Sequence, residues 1–385
     1  MAKGKVRRVF PGGNTGLGFY SFYEYVAKPD ANKIIVLKGG PGVGKSTFIK
    51  WIGEQLSDQG LDVEFHHCSG DVHGLDGLYV PAIDLAIVDG TSPHVIDPRA
   101  PGAVDEIIYL GDYWDEDILR RQKARILHLT AEASNNFRRA YRYLIIAKAL
   151  NEEIEAYIQE ANALDIAALN HTANSLVENL FSGVTFRERK PYIRHLFASA
   201  ITHEGCINHF PTIFDDLKRR VILQGPSGSG RSTLVRKLMD AALRLGLDVE
   251  AYHDLIDPSR VEHIIIPELS TAVINGSHPH PYPGKAEDVR IDTSRFVDPK
   301  PLQQYVSYRH EANRRFEDSL QRSVYFLKQA KATHDLLETC YVPSMRFDEI
   351  QQLRYQTLDR ILRLAPSPMP SGQRHKALED TVPLQ

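Results

Sequence analysis

Apolar and polar positions alternate between two regimes along the chain, and the sequence runs through both regimes twice. In the first half, short apolar runs predict strands over residues 6–10, 34–37, 63–68, 85–88 and 107–110, with a helix over 46–59. Apolar strands separated by a helix point to a mainly parallel α/β sheet flanked by helices. After Asp115 the period changes: Ile126, Leu129, Ala133, Phe137, Ala140, Leu144 and Ala147 step by three and four, as do Ile154, Tyr157, Ala161 and Leu164. That spacing predicts one long amphipathic helix or two. From Leu302 the pattern returns, with Phe316, Leu320, Val324 and Leu327 on one face. Pro343 and Ser344 break it before Ile350, Leu353 and Ile361. Each arm reads as a helical hairpin, serving either packing alone or a lid, substrate pocket or partner surface.

The halves align without a gap at a spacing of 186 residues, which carries Leu37 onto Leu223, Gly44 onto Gly230, Gly60-Leu61-Asp62-Val63-Glu64 onto Gly246-Leu247-Asp248-Val249-Glu250, and His67 onto His253. A unit this long is a duplicated domain, because solenoid repeats run to about 20–50 residues. The predicted organisation is therefore a first domain over 1–184 (α/β core 1–114, helical arm 115–184) and a second over 185–365 (core 185–300, arm 301–365). A Pro/Ser-containing tail over 366–385 is expected to be disordered.

The chemistry lies in the loop between the second predicted strand and the helix. Gly39-Gly40-Pro41-Gly42-Val43-Gly44-Lys45-Ser46-Thr47 fits the phosphate-binding pattern G-x-x-x-x-G-K-[ST]. Glycines let successive backbone N–H groups curl around phosphates, and the helix that follows turns its positive end toward the same charge. Lys45 is expected to reach the outer phosphates and the Ser46 hydroxyl to join a magnesium shell. Asp89 ends an apolar strand, the form needed to hold a magnesium-bound water, and is the Walker B candidate; Asp84 begins the same run at the wrong end. His67 and His94 border the carboxyl ends of strands and are candidates for phosphate contact or acid–base work, against a purely structural role. Arg99 is a candidate arginine finger.

The second loop runs Gly225, Gly228, Ser229, Gly230, Arg231, Ser232 and Thr233, with Arg231 in place of Lys45 and Asn275 in place of Asp89. Arginine keeps the charge but not the compact reach of lysine, and an amide brings no charge to magnesium. The second site is therefore expected to bind phosphates with slow or no catalysis. His66, His67, Cys68 and His73 have metal-ligand chemistry, but Tyr252, His253, Asp254 and Ser259 at the matching places do not repeat it, and no zinc or copper site is assigned.

With 385 residues, 42% of them hydrophobic, the chain can build two full cores, and a net charge of −3 gives no electrostatic case for nucleic acid or an anionic membrane. Three scattered cysteines and the lack of a signal-peptide core or an apolar span favour a cytoplasmic protein. Asp89-Gly90 downstream of a GGPGVGK loop is similar to nucleotide kinases of the adenylate-kinase kind. Over its whole length, through GGPGVGKST, DGTSPH and their second-half echoes, the chain resembles an uncharacterised bacterial family of tandem P-loop proteins, found chiefly among Firmicutes and usually labelled ATPase or nucleotide kinase. The resemblance implies ATP binding. The expectation is an enzyme that uses ATP and Mg2+ at the first site, for hydrolysis or transfer to an unknown acceptor, with a regulatory second site. The alternative is a nucleotide-gated binding or scaffold protein acting on a partner protein.

Overall fold

The computed structural model describes residues 2–277, 279 and 281–364, so the tail expected over 366–385 lies outside the described residues. The chain opens with β1 (Val6–Val9) and a small antiparallel hairpin of β2 (Gly12–Thr15) and β3 (Gly18–Ser21). β4 (Lys33–Lys38) runs through the glycine loop into α1 (Lys45–Asp58), which crosses over to β5 (Val63–His67). β6 (Leu75–Val80), β7 (Leu85–Asp89) and β8 (Asp105–Tyr109) complete a six-stranded sheet in the order β1-β5-β6-β7-β4-β8. β6 is antiparallel to both neighbours, while the other pairings in the sheet are parallel. β6 was not among the predicted strands: Asp76 and Gly77 interrupt its apolar run, and both residues are rare in strand interiors.

α2 (Glu116–Arg121), α3 (Lys123–Glu160) and α4 (Ile166–Phe181) then lead into the second half. Its strands β9 (Ile193–Leu196), β12 (Arg219–Gln224), β13 (Val249–His253), β14 (Val261–Ile266), β15 (Thr271–Asn275) and β16 (Val289–Asp292) repeat the first topology as β9-β13-β14-β15-β12-β16. The hairpin of β10 (Ser199–Thr202) and β11 (Gly205–Asn208), the short α5 (Phe210–Phe214) and the crossover helix α6 (Arg231–Arg244) fill the same places as their first-half counterparts. α7 (Val306–Tyr341) and α8 (Phe347–Leu362) end the described chain. Two mostly parallel six-stranded sheets flanked by helices match the expected α/β class.

The arms depart from expectation. α1 buries Phe48, Ile49, Ile52 and Leu56 against Leu37, Phe65, Leu78 and Ile87 of the first sheet, and that cluster is completed by Ile350, Leu358 and Ile361 of α8. Reciprocally, Leu169, Ala173, Leu176 and Leu180 of α4 pack with Leu234, Val235 and Leu238 of α6 on the second sheet. The assignment of arm 115–184 to the first domain and arm 301–365 to the second is therefore corrected: each terminal arm helix covers the other half's core. The hairpin expectation changes too, because α3 pairs with α7. Leu129 meets Leu337 and Cys340 at one end, Ala140 and Leu144 meet Leu320 and Leu327 in the middle, and Ile158 meets Leu302, in the turn just before α7, at the other, an antiparallel pair. The cause is length. At 38 residues α3 extends about 57 Å at 1.5 Å per residue, far beyond the sheet it leaves.

Burying each leucine of α4 contributes roughly 1.5–3 kcal/mol, which a fragment of residues 1–184 would forfeit. Such a fragment is expected to aggregate when expressed alone and to recover solubility when co-expressed with 185–364. A monomeric 1–184 that unfolds cooperatively would contradict crossed packing.

The two sheets meet near their β1 and β9 edges, where Phe10 and Phe197 exchange backbone hydrogen bonds of 3.0 and 2.9 Å. Beside them lies a largely buried ring of four charges. Arg7 and Arg194 from the two edge strands bridge Glu64 and Glu250 of the adjoining β5 and β13.

Candidate functional site

β4 and β7 are adjacent and parallel, with Leu37 in register with Asp89, so the Asp89 carboxylate stands at the same sheet end as the glycine loop. The loop leaves β4 at Gly39 and enters α1 through Gly44, whose left-handed φ of 93° caps the helix. Gly42 also takes a positive φ, 69°, where any side chain would be strained and a Cβ would press on the Glu338 backbone 3.2 Å away. Gly40 lies against the Tyr341 ring, so the loop sits beneath the carboxyl end of α7. Val43 is fully buried under the loop.

Lys45 is the first residue of α1. Its Nζ donates to the carbonyls of Gly39 (3.1 Å) and Gly40 (2.7 Å) and lies 3.7 Å from Asp89 Oδ2. Asp89 is itself held by the Thr91 N–H at 2.8 Å. Ser46 Oγ accepts from the Leu75 N–H at 2.9 Å, whereas Thr47 faces solvent. Lys45 and Asp89 thus come together as expected.

His94 joins them. Its Nδ1 is 2.9 Å from the Asp89 carbonyl, and its ring stacks on Tyr23 with centroids 4.3 Å apart and planes at 10°. Two further residues, Tyr23 and Asp76, went unrecognised in the sequence, and Cys68, weighed there only in a metal cluster with His66, His67 and His73, joins them. Asp76, at the start of β6, is buried and accepts from Tyr23 Oη at 2.5 Å, with the Cys68 thiol beside it. Burial pushes the Asp76 carboxyl above its usual range, and it pushes the Tyr23 and Cys68 protons further still from release. The repeat held the missing signal for Asp76, since Glu262 occupies the same place one domain on.

Two expected residues lie elsewhere. A bulge between His66 and His67 turns the His67 ring away from the loop and into the junction of the halves, where it packs on His209 (4.5 Å) and Phe10 (6.1 Å). Burial pushes its pKa down to about 4, as expected of a neutral packed imidazole, and the phosphate-contact role is corrected accordingly. Arg99 is 61% exposed and pairs with Glu24 at 3.3 Å. Asp105 Oδ2 accepts from the Arg99 and Ala100 N–H groups, folding that loop back on β8 rather than over Lys45, so the arginine-finger role is corrected as well.

The second copy has the same loop backbone, with Gly225, Gly228 and Gly230 at φ 150°, 82° and 93°, but different chemistry. Arg231 Nη1 donates to Asn275 Oδ1 at 2.5 Å, and Asn275 Nδ2 donates to Glu262 Oε1 at 2.6 Å. Asp254, at the place of Cys68, is pushed up to about 7, by burial first and by Glu262 second. Ser229 is buried on Thr293 at 2.6 Å, and Ser232 and Thr233 form the first turn of α6. Ser227 donates to Glu155 of α3 at 2.9 Å, so this loop sits beneath the carboxyl end of α3 just as the first sits beneath α7. Among known proteins, no family model, no curated sequence and no solved structure matches the chain.

Proposed function

We propose that the first glycine loop grips the phosphates of ATP and that this site hydrolyses the γ-phosphate or transfers it to an acceptor. The observation that carries the reading is the convergence of Lys45 Nζ and Asp89 Oδ2, 3.7 Å apart, at the mouth of a strand–glycine loop–helix turn. Ser46 and Asp89 offer the oxygen donors that suit Mg2+, which would neutralise charge on the transferring phosphate. Backbone N–H groups of the loop and the Lys45 ammonium bind and orient the phosphates. Gly90, where motor ATPases usually place a water-activating glutamate, favours an acceptor other than water.

The second loop keeps the phosphate-binding backbone but ties Arg231 to an amide, which supports binding with slow turnover and a regulatory role. A second reading, nucleotide-gated positioning of a partner protein, is favoured by one observation: α3 and α7 run side by side and each ends on one of the two loops. Nucleic acid is not an expected partner, and no helix among the described residues is long and apolar enough to cross a membrane.

Steady-state phosphate release from Mg·ATP, with and without a panel of nucleosides, nucleotides and small metabolites, separates these readings. Turnover that Arg231→Ala leaves at half or more of wild type supports one catalytic site. Background release under every condition would favour the gated scaffold.

A further inference from the structure

We infer that Asp76, Asp89 and His94 form a binding site for a divalent first-row transition-metal ion that loads without nucleotide. The three residues come from β6, the end of β7 and the turn after it. All are buried, with ligand atoms within 4.8 Å of one another.

The hydrogen bonds fix which atoms face inward. A carbonyl only accepts, so His94 Nδ1, 2.9 Å from the Asp89 carbonyl, is the protonated nitrogen. Nε2 then faces Asp76 Oδ2, 3.8 Å away, in a buried space where that oxygen also accepts from the Tyr23 hydroxyl. Two donors each about 2.1 Å from one ion lie ~3–4 Å apart, which the 3.8 Å separation meets. The supporting contacts have the form that orients metal ligands. His94 is held by a backbone carbonyl, Asp76 by the Tyr23 hydroxyl and Asp89 by the Thr91 N–H.

The second half of the chain is an internal comparison. There Arg231 and the Asn275 amide bring a cation and donors to the equivalent place, so Glu262 is partnered by protein groups. The first half also holds a cation there, Lys45 Nζ 3.7 Å from Asp89 Oδ2, but it brings an imidazole and two carboxylates together. This donor set suits Mn2+, Co2+ or Zn2+ better than Mg2+, which prefers oxygen ligands and sheds water reluctantly.

The test is a titration of the nucleotide-free full chain with Mn2+, followed by electron paramagnetic resonance of the free ion. One Mn2+ per chain is expected. His94→Gln and Asp76→Asn should each weaken binding at least about 10-fold, and Tyr23→Phe by about 10- to 100-fold through loss of ligand orientation. Circular dichroism confirms that each variant is folded, and Tyr23→Phe, the mildest change, serves if the ligand variants are not. Lys45→Ala, which removes a neighbouring positive charge, should bind Mn2+ at least as tightly while losing ATP, so that failure of the metal site and failure of the nucleotide reading are distinguishable. Wild-type protein that takes up no Mn2+, Mg2+ that competes equally with it, or undiminished binding in folded His94→Gln would each overturn the inference.

Discussion

Lys45→Ala is expected to lower ATP turnover by about 100- to 1,000-fold, the scale on which removal of one preorganised charge-stabilising donor acts, while Arg231→Ala keeps at least half of it. The two residues occupy the same position of the two repeats, so chemistry, not location, sets the difference. Lys45 is a compact ammonium on two loop carbonyls and 3.7 Å from a carboxylate that can share a metal. Arg231 is spread across an amide that carries no charge. Burial also lowers its pKa, as expected of a guanidinium withdrawn from solvent. Rates measured with saturating Mg·ATP check both variants. Equal loss would mean two working sites.

Glu64→Ala is expected to destabilise the fold by about 3–5 kcal/mol, because removing one member of a buried ion group leaves its partners unpaired. Glu64 is 3% exposed and meets Arg194 at 2.5 Å, Arg7 at 3.2 Å and His66 at 2.9 Å. Without it, two guanidiniums from opposite halves share Glu250 alone. Burial would raise the Glu64 pKa, but Arg194 and Arg7 overcome this and hold it well below 4.5. A depressed carboxyl stabilises fully above its unfolded value and loses that contribution as pH falls through the folded one. Urea denaturation should therefore separate wild type from Glu64→Ala at neutral pH, and the gap should close in acid below the ordinary carboxylate range. A constant gap across that range would place the effect in packing rather than in the ion ring.

What could be read from the sequence was what depends on local pattern. The glycine loop, α1 and the Asp89 strand end follow from residue type and period, and the structure sets Lys45 beside Asp89. His67 was misplaced because strand alternation fails at a bulge: one extra residue reverses the face, and Cys68 takes the inward place instead. The crossed arms were hidden for a different reason. Three-and-four spacing tells which face of a helix is apolar but not what covers it, and Leu169 or Ile350 would suit either core equally. Asp76 was obscured by its own polarity. A carboxylate followed by glycine reads as a turn, yet here it begins a strand, and only its match with Glu262 across the repeat distinguishes it.

The paired helices give the two loops a physical connection. α7 ends on Gly40 and Gly42 at Tyr341 and Glu338, while α3 ends on Gly228 at Glu155 and Ile158.

The most direct measurement is calorimetric titration of the full chain with a slowly hydrolysed ATP analogue and Mg2+. Association with wild type and its loss in Lys45→Ala are expected of a loop built to grip a triphosphate. No heat of association at millimolar analogue, or undiminished binding after Lys45→Ala, would contradict it.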